Sequence, residues 1–144
     1  MTWIVLATED ELSEQVGLCL AEEAGLEVGQ RLGKRGNGYL RGRITNFCEM
    51  ARQRPVLLIT DLDRTSCASA LISDWMGTRS RPDGLIFRVA VREVESWLLA
   101  DHEGMTELLG AKVGKLPNAP DELPDPKQKL LALAQRRRAM YATP

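Results

Sequence analysis

The sequence predicts an α/β fold, a three-layer sandwich in which helices cover both faces of a mostly parallel sheet of about four strands. The clearest of three observations is the run at residues 56–61, which is apolar without alternation until it reaches an aspartate. Such a run is typical of a strand buried on both faces. Similar β-rich runs occupy residues 3–8 and 85–91. Segments with helical spacing separate the runs, which indicates βαβ units.

The first half of the chain divides into two strands and two helices. After the strand at residues 3–8, Asp10 is expected to cap a helix over residues 11–24, and Gly25 to end it. A weaker strand is predicted at residues 26–32, followed by a glycine-rich basic loop and a helix over residues 39–53. The inward stripe of the first helix is predicted from its apolar spacing to be Leu12, Val16, Leu20 and Ala24.

The second half repeats the alternation and then changes character. A helix is predicted at 67–76 after the strand at 56–61, and helices at 93–101 and 103–109 after the strand at 85–91. The segment from Lys115 to Pro126 contains four prolines and is expected to be a loop, with a basic helix over residues 127–140 behind it. We therefore expect an α/β domain at 1–110 and a C-terminal part at 111–144.

Composition and charge exclude several classes of protein. The chain has 144 residues and a net charge of −1, so no bulk field draws it to nucleic acid or to an anionic membrane. No apolar run is long enough to span a bilayer, and the N-terminus lacks the basic region of a signal peptide. Three scattered cysteines and one histidine argue against a disulfide framework and a zinc site. A cytoplasmic protein without a membrane partner is expected.

Acidic residues follow three of the predicted strands. Glu9 follows the first strand, Asp61 and Asp63 the buried strand at 56–61, and Glu93 and Glu95 the last one. Because the carboxyl ends of parallel strands meet at one edge of a sheet, these carboxylates are expected to gather there. Carboxylates are preferred ligands of hard cations, so Mg²⁺ or Mn²⁺ is the predicted cofactor. The alternative is that each acid favours a helix N-terminus or a turn separately.

A resemblance to a known family rests on several of these segments. Glu9 after a strand, with Asp61-Leu62-Asp63 after a later one, resembles the Toprim pattern. The stretch from Val89 to Asp101, which contains Arg-Glu-Val-Glu-Ser-Trp-Leu-Leu-Ala-Asp, resembles an uncharacterised Toprim-like bacterial family, domain of unknown function 4276. The segments Thr8–Glu14, the glycine-rich loop through Tyr39, and Pro124–Lys127 also take part, so the resemblance covers nearly the whole chain.

The resemblance implies a Toprim/Rossmann-like sheet and a nuclease that cleaves phosphodiesters of nucleic acid. Glu9 would be the general acid or base, and Asp61 and Asp63 would hold Mg²⁺. It further implies an AAA-type ATPase as a partner and a shortened C-terminal end, and Asp10 stands where the Toprim pattern has a glycine. From the residues themselves, phosphate contacts are expected from the basic side chains of the glycine-rich loop and the following helix: Lys34, Arg35, Arg41 and Arg43.

Two other functions fit parts of the sequence. Residues 59–65 match the hydrophobic-Asp-x-Asp-x-Thr opening of haloacid-dehalogenase-type phosphatases, in which Asp61 would be the nucleophile and Asp63 the acid or base. That motif normally opens its fold, whereas here two βα units precede it. The other alternative is a non-catalytic Toprim-like module that binds a partner without turning over a substrate.

Overall fold

The computed structural model of the protein describes residues 2–140. Contacts divide the chain into two compact units, one ending at Ala90 and the other beginning at Val91. The domain boundary expected between residues 110 and 111 stays a prediction. Within the described residues, no helix combines the length and the apolar character that crossing a membrane requires.

The first unit is a four-stranded, all-parallel sheet with helices between the strands, which confirms the predicted fold class. The spatial order is β2-β1-β3-β4. The strands are β1 (Trp3–Thr8), β2 (Glu27–Gly33), β3 (Val56–Asp61) and β4 (Leu85–Ala90). The helices of this unit are α1 (Glu11–Glu23), α2 (Gly36–Gly42), α3 (Ile44–Ala51) and α4 (Ala68–Met76).

The strand order determines where a crevice forms. The chain passes from β1 to β2 in one direction along the sheet and from β2 to β3 in the other. Because βαβ crossovers are right-handed, this reversal puts α1 on one face and α2 with α3 on the opposite face. The carboxyl ends of β1 and β3 therefore lie at the topological switch point, where open α/β sheets bind ligands.

Helix α1 buries three small side chains and Glu14 instead of the predicted apolar stripe, which is therefore corrected. Asp10 caps the helix as expected, because its Oδ1 accepts a hydrogen bond from the Ser13 N–H at 2.9 Å. Gly17 lies so close to the Leu6 side chain that a larger residue would collide with it. Close approach, rather than hydrophobicity, selects the buried residues, and Leu20 is 43% exposed. The buried face consists of Ser13, Glu14, Gly17 and Ala21.

The structure has two helices where a single helix was predicted over residues 39–53, and the first of them begins before residue 39. Helix α2 starts at Gly36, and the chain leaves helical geometry at Arg43, where φ is −106° and ψ is 10°. Helix α3 then buries an apolar face that contains Ile44 and Phe47. The glycines within α2 hide its start from a reading of propensity, since glycine is unfavourable inside helices.

The second unit is helical, with α5 (Val94–Ala100), α6 (His102–Leu109) and α7 (Pro126–Met140). Short 3₁₀ turns lie at Ala111–Val113 and Pro120–Glu122, and the second interrupts the proline-rich segment from Lys115 to Pro126 that was predicted as a loop. Leu131 lies on the exposed side of α7. The unit has its own apolar core, formed by Leu99, Met105, Leu109, Val113, Leu116 and Leu133.

Candidate functional site

Glu9 lies directly after β1, at the switch point, and is anchored to the end of β3. Its Oε1 accepts a hydrogen bond from the Thr60 hydroxyl at 2.5 Å and from the Asp61 N–H at 2.7 Å. Both bonds end on the same oxygen. The residue is only partly exposed. The carboxylate is therefore fixed in orientation, and Oε2 remains to meet a proton, a cation or a substrate.

Asp10 and Asp61 complete a compact group of carboxylates with Glu9. One oxygen from each of the three lies within 4.8 Å of the other two. Asp61 is the last residue of β3 and is 6% exposed. Asp10 uses one oxygen for the α1 cap. A carboxylate has two oxygens, so Asp10 can cap the helix and still offer a ligand atom.

Asp63 stands in the turn that follows β3. The turn is held by the Thr65 N–H, which donates to the Leu62 carbonyl at 3.1 Å. Asp63 itself adopts a φ of +52°, an uncommon conformation that aspartate tolerates better than most residues. Its negative charge acts on Glu9, and that of Asp10 acts on it. The structure therefore brings the predicted residues Glu9, Asp61 and Asp63 to one edge of the sheet.

The crowded acids shift toward their neutral forms. Partial burial is the main cause that raises the pKa of Glu9 above 4.5, and the charges of Asp63 and Asp10 add to it. The hydrogen bonds from Thr60 and Asp61 oppose the rise because they favour the charged form. Burial also raises the pKa of Asp63, with a smaller contribution from Asp10. A bound cation stabilises a cluster of carboxylates of this kind, because it reduces the repulsion between their negative charges.

Stability is expected to fall as the pH rises through the window above 4.5 when no divalent cation is present. In that window folded Glu9 holds its proton more than unfolded Glu9 does, so the folded state binds more protons and loses free energy of unfolding with rising pH. Asp63 acts in the same direction. Urea midpoints measured against pH in EDTA test this. Glu9→Gln should flatten the dependence, and a slope that is unchanged in this variant would contradict the assignment.

The donor set of this group fits Mg²⁺ or Mn²⁺. All the candidate ligand atoms are carboxylate oxygens, the preferred ligands of hard divalent cations. Mg²⁺ usually keeps several waters and needs only one or two carboxylates besides phosphate oxygens. Glu9, Asp10 and Asp61 can satisfy that requirement, with Asp63 close enough to contribute charge.

The basic residues of the glycine-rich segment have separate partners. Lys34 Nζ lies 3.4 Å from carboxylate oxygens of Glu11 and Glu14. The guanidinium groups of Arg35 and Arg43 lie 5.6 and 5.2 Å from the centre of the Tyr39 ring. This distribution places Lys34 against α1 and the two arginines around an aromatic side chain.

The backbone of this segment is tied to the end of β1. The Lys34 N–H donates to the Thr8 carbonyl at 2.8 Å, and the Gly36 N–H donates to the Glu9 carbonyl at 2.9 Å. The basic segment therefore begins beside the candidate acid or base and runs from there into α2.

Arg41 lines a small pocket beside the acids. The pocket has a volume of about 160 Å³, and its wall includes Asp61 and Asp63. Arg41 NH2 forms an ion pair with Asp74 Oδ2 at 2.7 Å, and both side chains are more than half exposed. The other lining residues are Asn37, Leu62, Thr65, Leu71 and Trp75.

The predicted ligands Glu93 and Glu95 belong to the second unit. Glu93 precedes α5, and its Oε1 accepts a hydrogen bond from the Lys127 N–H at 3.2 Å. Glu95 lies in the first turn of α5 and is 5% exposed. Their participation in a metal site stays a prediction.

Sequence reasoning missed three contributors to the site. Thr60 was treated only as part of a strand, although its hydroxyl orients Glu9. Asp10 was assigned only a capping role, and Asp74 was not considered. An acid at i+1 from Glu9 was visible in the sequence, but the pairing of Arg41 with Asp74 depends on tertiary packing that spacing does not reveal.

Comparisons with protein-family models, with curated proteins and with solved structures find no significant match.

Proposed function

We propose that the protein is a Mg²⁺-dependent, Toprim-like nuclease that cleaves phosphodiesters of nucleic acid. The observation that carries the proposal is the fixed Glu9 carboxylate at the switch point, with candidate ligand oxygens of Asp10 and Asp61 within 4.8 Å. Acids with raised pKa values in a crevice are a common feature of general acid–base sites. The same group of carboxylate oxygens would hold a hard cation.

Each residue has a defined role in this proposal. Asp61 and Asp10 would hold the cation, and Asp63 would add negative charge or a further ligand. Bound Mg²⁺ supplies Lewis-acid stabilisation of charge on phosphate oxygens. Glu9 Oε2 would accept a proton from the attacking water or return one to the leaving oxygen. Its raised pKa brings it closer to the value that suits proton transfer near neutral pH.

Substrate contacts would come from the basic segment next to the acids. Arg35 and Arg43 flank Tyr39, so positive charge that would bind phosphate lies beside an aromatic ring on which a base would stack. Single-stranded nucleic acid is commonly bound by such a combination of cations and stacking. Lys34 would move from its carboxylate partners to a phosphate. An AAA-type ATPase partner remains a prediction from the family resemblance.

Metal binding provides the direct test. Isothermal titration with Mn²⁺ and Mg²⁺ should show saturable binding to the wild type. Asp61→Asn should weaken it by at least about tenfold to a hundredfold, the loss that follows even when groups behind metal ligands are changed. The matched control is Asp83→Asn, because Asp83 is exposed and precedes β4, at the opposite edge of the same parallel sheet.

Two activity assays separate this proposal from its alternatives. Metal-dependent nicking of plasmid DNA that is lost in Asp61→Asn supports the nuclease. Release of phosphate from a small ester without nicking would instead favour the haloacid-dehalogenase-type phosphatase. Absence of metal binding in both the wild type and Asp61→Asn would overturn the enzyme proposal and favour a non-catalytic module.

A further inference from the structure

The pocket beside Asp61 has an apolar inner end. Leu62, Leu71 and Trp75 all line it and are 2%, 5% and 7% exposed, so core side chains close its interior. The Trp75 ring is held in place by Phe87, with ring centroids 5.4 Å apart. These three side chains therefore offer a fixed apolar surface, beside the equally buried carboxylate of Asp61.

The opening of the pocket is polar and can change partners. Arg41 and Asp74 form their ion pair on an exposed surface, where such pairs contribute little free energy. Asn37, which is exposed, lines the same pocket and adds an amide donor and an acceptor. A group that enters can therefore accept a hydrogen bond from Arg41 and donate one to Asp74 at small cost in free energy.

Size and charge restrict the class of group that fits. At about 160 Å³ the pocket is smaller than the roughly 300–1,000 Å³ of sites for drug-sized molecules, so it admits a ring rather than a whole nucleotide. When no cation is bound, a phosphate is disfavoured, because three aspartates and a single arginine line the pocket: Asp61, Asp63 and Asp74 against Arg41. A planar ring matches this lining when one face packs on Leu62, Leu71 and Trp75 and a polar edge reaches Arg41 and Asp74.

We infer that this pocket binds a guanine base. Guanine presents O6, which can accept from the Arg41 guanidinium, beside N1–H and the N2 amino group, which can both donate to the Asp74 carboxylate. Arginine is a frequent donor to guanine O6, and bases removed from a stack are read by their edges in pockets with apolar walls. The consequence for catalysis rests on the proposed function: a guanine bound in this pocket, beside the acids, would make the cleavage selective for guanine.

Binding of the free nucleoside tests the inference without metal. Guanosine is titrated in EDTA into the full-length ¹⁵N-labelled protein while the three tryptophan indole resonances are followed, with Trp75→Phe used to assign Trp75. The Trp75 resonance should shift saturably, whereas Trp3 and Trp97 should not. Inosine, which lacks the N2 amino group, and adenosine should each bind at least about tenfold more weakly than guanosine.

The variants identify the contact. Asp74→Asn should weaken guanosine binding by about ten- to a hundredfold, the discrimination typical of one bidentate base contact. Asp83→Asn, an exposed acid away from the pocket, should leave it unchanged. Equal binding of guanosine, inosine and adenosine, or binding that survives Asp74→Asn, would overturn the inference. If Mn²⁺ binds but guanosine does not, this inference alone is overturned. If guanosine binds but Mn²⁺ does not, only the proposed function is overturned.

Discussion

Glu9→Gln is expected to lower the rate of metal-dependent DNA cleavage by about 10²–10⁴-fold, the contribution typical of a general acid or base. Glutamine keeps an Oε1 that can accept the hydrogen bonds from Thr60 and Asp61. It cannot take up a proton at neutral pH, so the position is preserved while the chemistry is lost. Single-turnover nicking of supercoiled plasmid at saturating Mg²⁺ measures the effect.

Two controls keep this result interpretable. The urea midpoint of Glu9→Gln at a pH above the ordinary value of 4.5 should equal or exceed that of the wild type, because the variant no longer buries a carboxylate among other acids. The exposed variant Asp83→Asn should cleave at the wild-type rate. If Glu9→Gln were folded, bound Mn²⁺ and cleaved DNA as fast as the wild type, Glu9 would have no part in proton transfer.

Gly33→Ala is expected to destabilise the first unit by about 2–5 kcal/mol, which combines backbone strain with overpacking. Gly33 has a φ of +105°, and an added Cβ would collide with the Thr8 carbonyl oxygen. Because that oxygen also accepts a hydrogen bond from the Lys34 N–H, the collision would disrupt a hydrogen bond at the end of β1. Urea unfolding of the full chain measures the loss.

Gly38→Ala is the matched control for this substitution. Gly38 lies within α2 at an ordinary backbone angle, and apart from its chain neighbours and the backbone of its own helix no atom stands within 4 Å of an added Cβ. Alanine there should raise the free energy of unfolding by up to about 1 kcal/mol, because it favours the helix over the unfolded chain. Equal urea midpoints for the Gly33 and Gly38 variants would contradict the structural explanation.

The fold was predictable because its central strands carry unambiguous patterns. The runs at β1 and β3 are continuously apolar, and the helices between them bear capping and breaking residues such as Asp10 and Gly25. The buried face of α1 was not predictable in this way. Its selection depends on how closely the backbone approaches Leu6, a tertiary quantity that makes Gly17 a better core residue there than Leu20.

The site was partly predictable for a similar reason. Parallel strands place their carboxyl ends on the same side of a sheet, so Glu9 and Asp61 could be expected there together. Their direct approach depends on β1 lying next to β3. The hydroxyl of Thr60 and the partner of Arg41 depend on rotamers and on the placement of α4, which leave no periodic trace in the sequence. The strand order itself, with β1 next to β3, also had to come from the structure.

Two backbone hydrogen bonds, from the Lys34 and Gly36 N–H groups, connect the basic segment to the end of β1. The position of Glu9 therefore depends on the length of that segment. An added or deleted residue between β2 and α2 would shift this pairing and carry the acid away from the β3 terminus. Variation between β2 and α2 that preserves the arrangement is therefore restricted to exchange of side chains at constant length. Tolerance to length changes should be greater at the amino ends of the strands, as in the exposed turn before β4 around Asp83.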